Sequence, residues 1–336
     1  MKNTNYAMMF AMATLSLAAC KGVSKLSSYA EKDLSSKARY DVSKSKIREN
    51  GRGFTVDFAK LPKSPKRIAL VSFYVEDPGL TKVSGTRSTG RTYRTTNTSQ
   101  EGVRQYANYY YKLSMDTMRQ VFKGNDMEIL TPSQFASAGK AQYYRSFEAK
   151  HSTLNKLGGK LTSFFKGSGD AGTTIETKEP ADGFTLCNMN SNRFVANAKH
   201  KSVKTNGGVG EMDDKLIESM GSDLCKELDV DAVLVVVNTM LCDSKHRKDR
   251  HFLSAVSMYM FGPNPLPLAE GKKDNMFYSK GLFYSGYRMA FKKGLCLDPK
   301  IKDEAKKTAN EKLNEKAYNN IVASLAGNIC SNIKEK

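Results

Sequence analysis

The sequence predicts an α/β fold, with a mixed central sheet flanked by helices and interrupted by long loop insertions. Val233–Val237 is a short β-branched run without alternation, which is typical of a strand buried on both faces. An apolar stripe at helical spacing precedes this run and consists of Ile217, Met220, Leu224 and Leu228. A helix that leads directly into a doubly covered strand is half of an α/β unit.

Length and composition are those of a folded protein. The chain has 336 residues, of which 40% are hydrophobic and 10% aromatic, enough for one large core or two small ones. Its formal net charge is +19 and its pI is about 9.5. A basic balance favours polyanionic partners, which include nucleic acid, anionic lipid head groups and acidic polymers.

The first twenty residues have the pattern of an export signal. Lys2 precedes the apolar stretch Ala7–Ala19, which is shorter than the roughly 20 residues of a membrane-spanning helix. The stretch ends in Leu17-Ala18-Ala19-Cys20, which resembles the lipobox of bacterial lipoproteins. By that resemblance, residues 1–19 are a cleaved lipoprotein signal peptide and the Cys20 thiol carries a diacylglyceryl group. An ordinary secretory signal with a chance cysteine is the alternative.

The lipobox also predicts a location and a set of partners. Lys21 follows Cys20 without an acidic run, which by analogy with lipoprotein sorting indicates the outer membrane, with the domain facing the periplasm. We expect no transmembrane helix, because no later apolar stretch reaches 18 residues. A periplasmic protein rarely meets nucleic acid. The expected partners are therefore the membrane, through the lipid anchor, and envelope proteins or anionic envelope polymers.

Residues 20–65 are predicted to be a tether between the lipid and the folded domain. Lys21–Arg52 is rich in Lys, Ser and Arg and has few large apolar residues, as a linker does. Phe54, Val56 and Phe58 alternate with polar residues and could form a short edge strand.

The folded domain is predicted to be a single unit, residues 66–336. Lys66–Tyr74 is apolar and short, and we expect it to be the first core strand. The segment near 81–100 is predicted to be an insertion, either a long loop or an extended hairpin with its turn at Thr89-Gly90. A second insertion is predicted near 155–210.

A long helix and a second strand follow the first insertion. The helix is indicated by a stripe of Val103, Tyr106, Tyr110, Leu113, Thr117 and Val121. Asp126–Leu130 is predicted to be the strand. Thr131, Pro132 and Gln134 have the pattern of a capping box, so a further helix is expected from there to about Lys150.

The last third of the chain predicts two strands and a helix. Phe252–Met260 and Met276–Tyr284 are expected to be neighbouring strands on an antiparallel side of the sheet. Asp303–Lys334 is predicted to be a long helix that packs on the sheet with its C-terminal half. Its apolar stripe comprises Ala305, Ala309, Leu313, Ala317, Ile321, Leu325 and Ile329, supported by Tyr318 and Val322.

This order of strands and helices resembles the TolB N-terminal-like α/β fold, as used by the curli-secretion channel family of lipoproteins. The segments that carry the resemblance are KRIALVSF at 66–73, MEILTPSQF at 127–135 and CKELDVDAVLVVV at 225–237, together with the lipobox. In that family the subunits form rings and insertion hairpins build an outer-membrane barrel. The resemblance therefore implies a homo-oligomer and, as an alternative function, a secretion channel.

No motif for catalysis or cofactor binding stands out. Gly167, Gly169 and Gly172 form a GxGxxG string, but no strand precedes it and no helix follows, so we interpret it as a loop. Cys242, His246 and His251 could suggest a metal site, yet the intervening Lys and Arg residues would repel a cation. Five cysteines besides Cys20 leave the disulfide pairing open, and Cys225, beside the helix stripe, is expected in the core.

The sequence thus predicts no catalytic, cofactor or metal-binding residues and one modified residue, Cys20. We expect a membrane-anchored, periplasm-facing lipoprotein that acts as a non-enzymatic scaffold or assembly factor of the cell envelope. The alternative is a subunit of an oligomeric outer-membrane secretion channel. An enzyme of unrecognised type would require ionisable groups that converge in a pocket.

Overall fold

The computed structural model describes residues 39–41, 47–49, 52–54, 64–77, 80–84, 92–96, 99–136, 139–148, 177–189, 216, 218–243, 250–264, 280–296 and 302–333. The predicted signal peptide and Cys20 lie outside the described residues.

The described residues form strands and helices in the following order. The strands are β1 (Arg39–Asp41), β2 (Ile47–Glu49), β3 (Arg52–Phe54), β4 (Arg67–Asp77), β5 (Leu80–Ser84), β6 (Thr92–Thr96), β7 (Glu128–Leu130), β8 (Thr177–Pro180), β9 (Ala232–Asp243), β10 (Arg250–Pro263) and β11 (Gly281–Cys296). The helices are α1 (Gln100–Lys123), α2 (Pro132–Phe135), α3 (Gln142–Arg145), α4 (Cys225–Leu228) and α5 (Glu304–Ile333). A π-helical turn, Ser219–Leu224, leads into α4.

One mixed sheet organises the fold. Its strand order is β1-β11-β10-β9-β4-β7, and β8 pairs with the remaining part of the β4 edge. β4 is parallel to β9 and to β7, whereas β8, β10, β11 and β1 pair antiparallel with their neighbours. The α/β fold with a mixed sheet flanked by helices is therefore confirmed.

The two central strands were both visible in the sequence. β4 is buried from Ile68 to Asp77, and Ala232–Val237 of β9 is fully buried, as a strand covered on both faces should be. The prediction of antiparallel neighbours beyond β9 is also confirmed. The second of the two predicted strands, however, is β11, which begins five residues later than the predicted Met276 and extends to Cys296.

The helices α1 and α5 cover one face of the sheet, which we call the first face. The C-terminal half of α5 is buried there, including Ile321, Leu325 and Ile329, as predicted. The buried face of α1 lies one residue further round the helix than its predicted stripe, since Ala107, Ser114 and Phe122 are buried where Tyr106, Leu113 and Val121 are half-buried. Small residues can sit where a helix approaches its neighbours most closely, which an apolar count does not register.

The second face is covered by shorter elements. The π-helical turn, α4 and α3 pack there around Met220, Leu224 and Tyr144. The predicted helix from Thr131 to about Lys150 is wrong, because α2 ends at Phe135. The chain then takes left-handed backbone angles at Gly139 (φ +81°) and Ala141 (φ +66°), which a continuous α-helix excludes.

Several strands lie in segments that the sequence predicted as tether or insertion. Three short strands lie between residues 39 and 54: β1 pairs with β11, and β2 pairs with β3. β5 and β6 pair antiparallel, so the first insertion contains a hairpin, although residues 85–91 with the predicted turn lie outside the described residues. β8 lies within the predicted second insertion and completes the edge of β4.

Candidate functional site

The carboxyl end of β4 is where the structure gathers buried polar and charged side chains. The connection that follows β4 leads to α1 on the first face, and the connection that follows β7 leads to α2 and α3 on the second face. In open α/β sheets, ligands bind at the carboxyl ends of strands whose connections diverge in this way. This end of the sheet is therefore the candidate site.

A segment of the chain itself occupies the edge of the sheet at this point. β8 pairs antiparallel with Tyr74–Asp77 of β4, and the chain then continues as extended backbone to Met189. We call residues 177–189 the strap. Asp182-Gly183 turns the strap between its two parts, with Gly183 at φ +84°, a conformation that glycine adopts without strain.

The strap is held to the first face by side chains of α1. Asn108 and Asp182 share two hydrogen bonds of 2.8 Å, one from the Asn108 amide to the carboxylate and one from the Asp182 backbone N–H to the Asn108 oxygen. Arg104 lies 3.3 Å from the Glu179 carboxylate. Phe184 packs edge-on against Tyr111, with 5.0 Å between ring centroids.

On the second face, side-chain hydroxyl groups accept hydrogen bonds from backbone N–H groups of the strap. Every second N–H donates to one of them: Thr185 N–H to Tyr144 Oη (3.0 Å), Cys187 N–H to Ser72 Oγ (3.1 Å) and Met189 N–H to Tyr74 Oη (3.2 Å). The Tyr144 hydroxyl in turn donates to the Val71 carbonyl oxygen at 2.9 Å. Burial raises the pKa of Tyr144, so this hydroxyl stays protonated and can act as both donor and acceptor.

The apolar side chains of the second part of the strap belong to the core. Leu186, Cys187 and Met189 are all buried in the cluster that also contains Tyr74 and Tyr144. We call the surface that receives these side chains and the three backbone N–H groups the strap groove. It consists of Ser72, Tyr74 and Tyr144 together with the apolar residues around them.

A buried ion pair joins the strap to the end of the central strands. Lys178 Nζ lies 3.9 Å from Glu76 Oε2 and donates to Asn188 Oδ1 at 2.7 Å. The other oxygen of Glu76 accepts a hydrogen bond of 2.8 Å from the Thr239 hydroxyl on β9. Glu76 and Thr239 are 2% and 4% exposed, so this carboxylate is stabilised by these buried partners rather than by bulk water.

Further buried polar residues lie on the second face between Glu76 and β11. Together with Glu76, Lys178 and Thr239 they form a row of polar groups across the sheet. The Arg288 guanidinium donates to Ser257 Oγ at 3.3 Å, and both residues are buried. Tyr259 lies beside them. Burial raises the pKa of its hydroxyl, while the positive charge of Arg288 and the hydrogen bond with Ser257 act in the opposite direction. The site thus combines a carboxylate, two cationic groups and several hydroxyls in a buried environment.

A buried polar residue also lies on the first face at the same level of the sheet. Asn238 on β9 is fully buried, and its oxygen accepts a hydrogen bond of 2.9 Å from the Tyr318 hydroxyl of α5. Its amide nitrogen has no hydrogen-bond partner among the described residues. Burial raises the pKa of Tyr318, and the hydrogen bonds with Ser114 and Asn238 lower it in part.

The residues singled out from the sequence lie mostly elsewhere. Cys20, His246, Gly167, Gly169 and Gly172 are outside the described residues. Cys242 and His251 are backbone partners in the β9–β10 pair, but the structure does not describe their side chains.

Cys225 is buried as predicted, and burial raises the pKa of its thiol to about 12. Across the part of the chain that the structure describes, no three His, Cys, Asp or Glu residues are grouped to hold a metal ion. Within the same residues, no helix is both long and apolar enough to cross a bilayer.

Sequence reasoning missed the strap as a structural element. Its one local signal is Asp182-Gly183, a pair typical of turns, placed between Thr177–Pro180 and Phe184–Met189. The groups that hold it lie far away in sequence, such as Ser72 and Asn108, and no periodicity in the strap points to them.

Comparison of the chain with models of protein families, with curated proteins and with solved structures finds no match. The resemblance to the TolB N-terminal-like fold and to the curli-secretion family therefore stays a prediction, based on the order of segments and on the lipobox.

Proposed function

We propose that the protein is a lipoprotein of a bacterial outer membrane, anchored through Cys20 with its α/β domain in the periplasm. The domain acts as a scaffold or assembly factor and works by contact, not by catalysis. The observation that carries this proposal is Leu17-Ala18-Ala19-Cys20 at the end of the apolar stretch Ala7–Ala19.

The physical chemistry of lipidation supports stable membrane attachment. Each buried CH₂ of an acyl chain contributes about 0.8 kcal/mol, so the two chains of a diacylglyceryl group hold a protein at a bilayer where one chain would not. The net charge of +19 adds an attraction for anionic lipid head groups and anionic envelope polymers.

The internal pairing at the end of β4 supports contact as the mode of action. Glu76 is engaged by Thr239 and Lys178, and Lys178 is engaged by Asn188. A general acid or base would need to reach a substrate proton at hydrogen-bond distance. In this arrangement the strap already engages Glu76, Ser72, Tyr74 and Tyr144.

The lipid anchor can be tested on the full chain expressed with its N-terminus in a bacterial host. Mass spectrometry of the mature protein is expected to find an N-terminal Cys20 that carries acyl chains. Cys20→Ala should leave the membrane fraction, whereas Ser24→Ala, a matched change outside the lipobox, should remain in it. An intact Met1 on the wild-type protein, or membrane retention of Cys20→Ala, would overturn the proposal.

A channel subunit is the second candidate, and the β5–β6 hairpin favours it. Channel formation from a soluble-type domain requires an insertion that can supply strands to a shared barrel. The first insertion contains two strands in antiparallel register, with Leu80 opposite Thr96 and Ser84 opposite Thr92. Native mass spectrometry in detergent separates the two candidates. A single high-mass ring supports the channel, and a monomer or dimer supports the scaffold.

A further inference from the structure

The strap stands apart from the rest of the fold in its chain connections. Residues 149–176 join it to α3 and the three residues that follow, and residues 190–215 join it to the helical segment before β9. By length alone, segments of this size can each span up to roughly 85 Å when extended. Covalent connection therefore does not oblige the strap to dock on the body of its own chain.

The contacts of the strap are specific to its own sequence. Asp182 matches Asn108, Glu179 matches Arg104 and Lys178 matches Glu76, so three polar side chains of the strap each meet a complementary group on the body. An unrelated peptide could form the backbone hydrogen bonds to Ser72, Tyr74 and Tyr144 but would lack these pairs. The occupant that fits the strap groove best is therefore a strap of this same protein.

We propose that the strap exchanges between copies, so that residues 177–189 of one molecule dock in the strap groove of another and link the two. Every contact in the exchanged form is one that the single chain already makes, so the two forms differ mainly in the entropy of loop closure and in protein concentration. Association by this route strengthens as the local concentration rises. The inference does not depend on a lipid at Cys20.

The β4–β8 register provides a direct test by disulfide trapping. Val75 and Glu179 are backbone partners in this antiparallel pair, at a separation that a disulfide can bridge. Two differently tagged full-length copies, one with Val75→Cys and the other with Glu179→Cys, are co-expressed and oxidised. We expect a disulfide between positions 75 and 179 that joins the two tags, identified by peptide mass mapping, in a yield that rises with expression level.

The control replaces Glu179→Cys by Lys226→Cys, an exposed position on α4 and outside the strap. This pair should give no linkage between the tags. An equal yield from the control would show random collision and overturn the proposal. A 75–179 disulfide found only within single chains of the Val75→Cys/Glu179→Cys double variant, at every concentration, would overturn it as well.

A second measurement leaves the fold of the protein unaltered. A fluorescent peptide of residues 177–189 is titrated into the wild-type full chain, with a scrambled peptide as reference. We expect saturable binding of the native peptide, at least tenfold tighter than the scrambled one. Asn108→Ala should weaken it several-fold, whereas Gln105→Ala, one turn away and bonded to Glu101 of the same helix, should not. No binding, or equal binding of both peptides, would contradict an exchangeable strap.

Discussion

Gly262 in β10 is a residue whose missing side chain shapes its surroundings. A Cβ at this position would overlap ring carbons of Tyr284, which is buried and whose hydroxyl donates to the Pro263 carbonyl oxygen. Overpacking a position of this kind costs about 1–3 kcal/mol. We expect Gly262→Ala to lower the free energy of unfolding by that amount, measured by urea denaturation.

Gly327 in α5 provides the matched control. Nothing lies within 4 Å of a Cβ built at this position. Because alanine favours the helix over glycine, Gly327→Ala should raise the free energy of unfolding by roughly 0.5–1 kcal/mol. If alanine lowered the free energy of unfolding at both glycines, the close approach of Tyr284 would not be the cause of the loss at Gly262.

Removing one charge of the buried Lys178–Glu76 ion pair is expected to lower the free energy of unfolding. Both side chains are more than nine-tenths buried, so removing one partner leaves a charge in a desolvated place. We expect Lys178→Met to lower the free energy of unfolding by about 3 kcal/mol. The double variant Glu76→Gln/Lys178→Met removes both charges and should lose clearly less than the sum of the single changes. Additive losses in urea denaturation would show that the two groups are not coupled.

At the scale of elements, we expect the stability of the first turn of α5 to depend on pH. Asp303 Oδ1 accepts a hydrogen bond of 3.2 Å from the Lys306 N–H, and the hydrogen bonds from Lys306 lower the pKa of Asp303. A lowered folded-state pKa means that the stabilisation is complete above the ordinary pKa of about 3.9 and is lost as pH falls through the folded value.

We therefore expect the first turn of α5 to fray as the solution is acidified below about pH 4. NMR chemical shifts of the amides of residues 304–308 would report this change. Asp303→Asn keeps an oxygen that can cap the helix but does not titrate, so the same shifts should stay constant in that variant. Identical pH curves for both proteins would rule out Asp303 as the cause.

We expect the strap to detach from the rest of the protein at a lower urea concentration than the one that unfolds the sheet. Cys187 lies in the strap, whereas Cys225 is the first residue of α4 in the core of the second face, and both thiols are buried. Burial raises the pKa of both, so alkylation requires exposure first. We expect Cys187 to be alkylated at lower urea concentration than Cys225, as mass mapping of the labelled peptides would show. Coincident labelling would mean that the strap opens only with global unfolding.

Long periodic elements could be predicted from the sequence, and short ones held by distant partners could not. β4, β9, α1 and α5 were all expected, because each is a sustained apolar run or stripe whose burial is encoded locally. The break after Phe135 depends on left-handed angles at Gly139 and Ala141, which the capping box upstream does not indicate. The strap depends on hydroxyls of Ser72, Tyr74 and Tyr144, far from it in the chain.

At the scale of the whole molecule, the sheet type was predictable and the arrangement at its end was not. A helix leading into an all-buried strand suffices to predict an α/β layer, and the antiparallel neighbours followed from two further apolar runs. The row of polar groups that includes Glu76, Lys178, Thr239 and Arg288 draws on five strands. Taken singly, none of these residues differs from an ordinary polar residue within a strand.

If Cys20 carries the proposed lipid, the pairing of β1 with β11 limits the distance between the folded domain and the membrane surface. The predicted tether, which runs to residue 65, would allow a height of roughly 150 Å above the bilayer. Because Arg39 is paired with Met289 in the sheet, the link from the lipid to the folded domain is the segment between Cys20 and Arg39. By length alone, this segment spans at most about 65 Å. In the proposed anchored protein, β1 would then lie no further than this from the membrane surface.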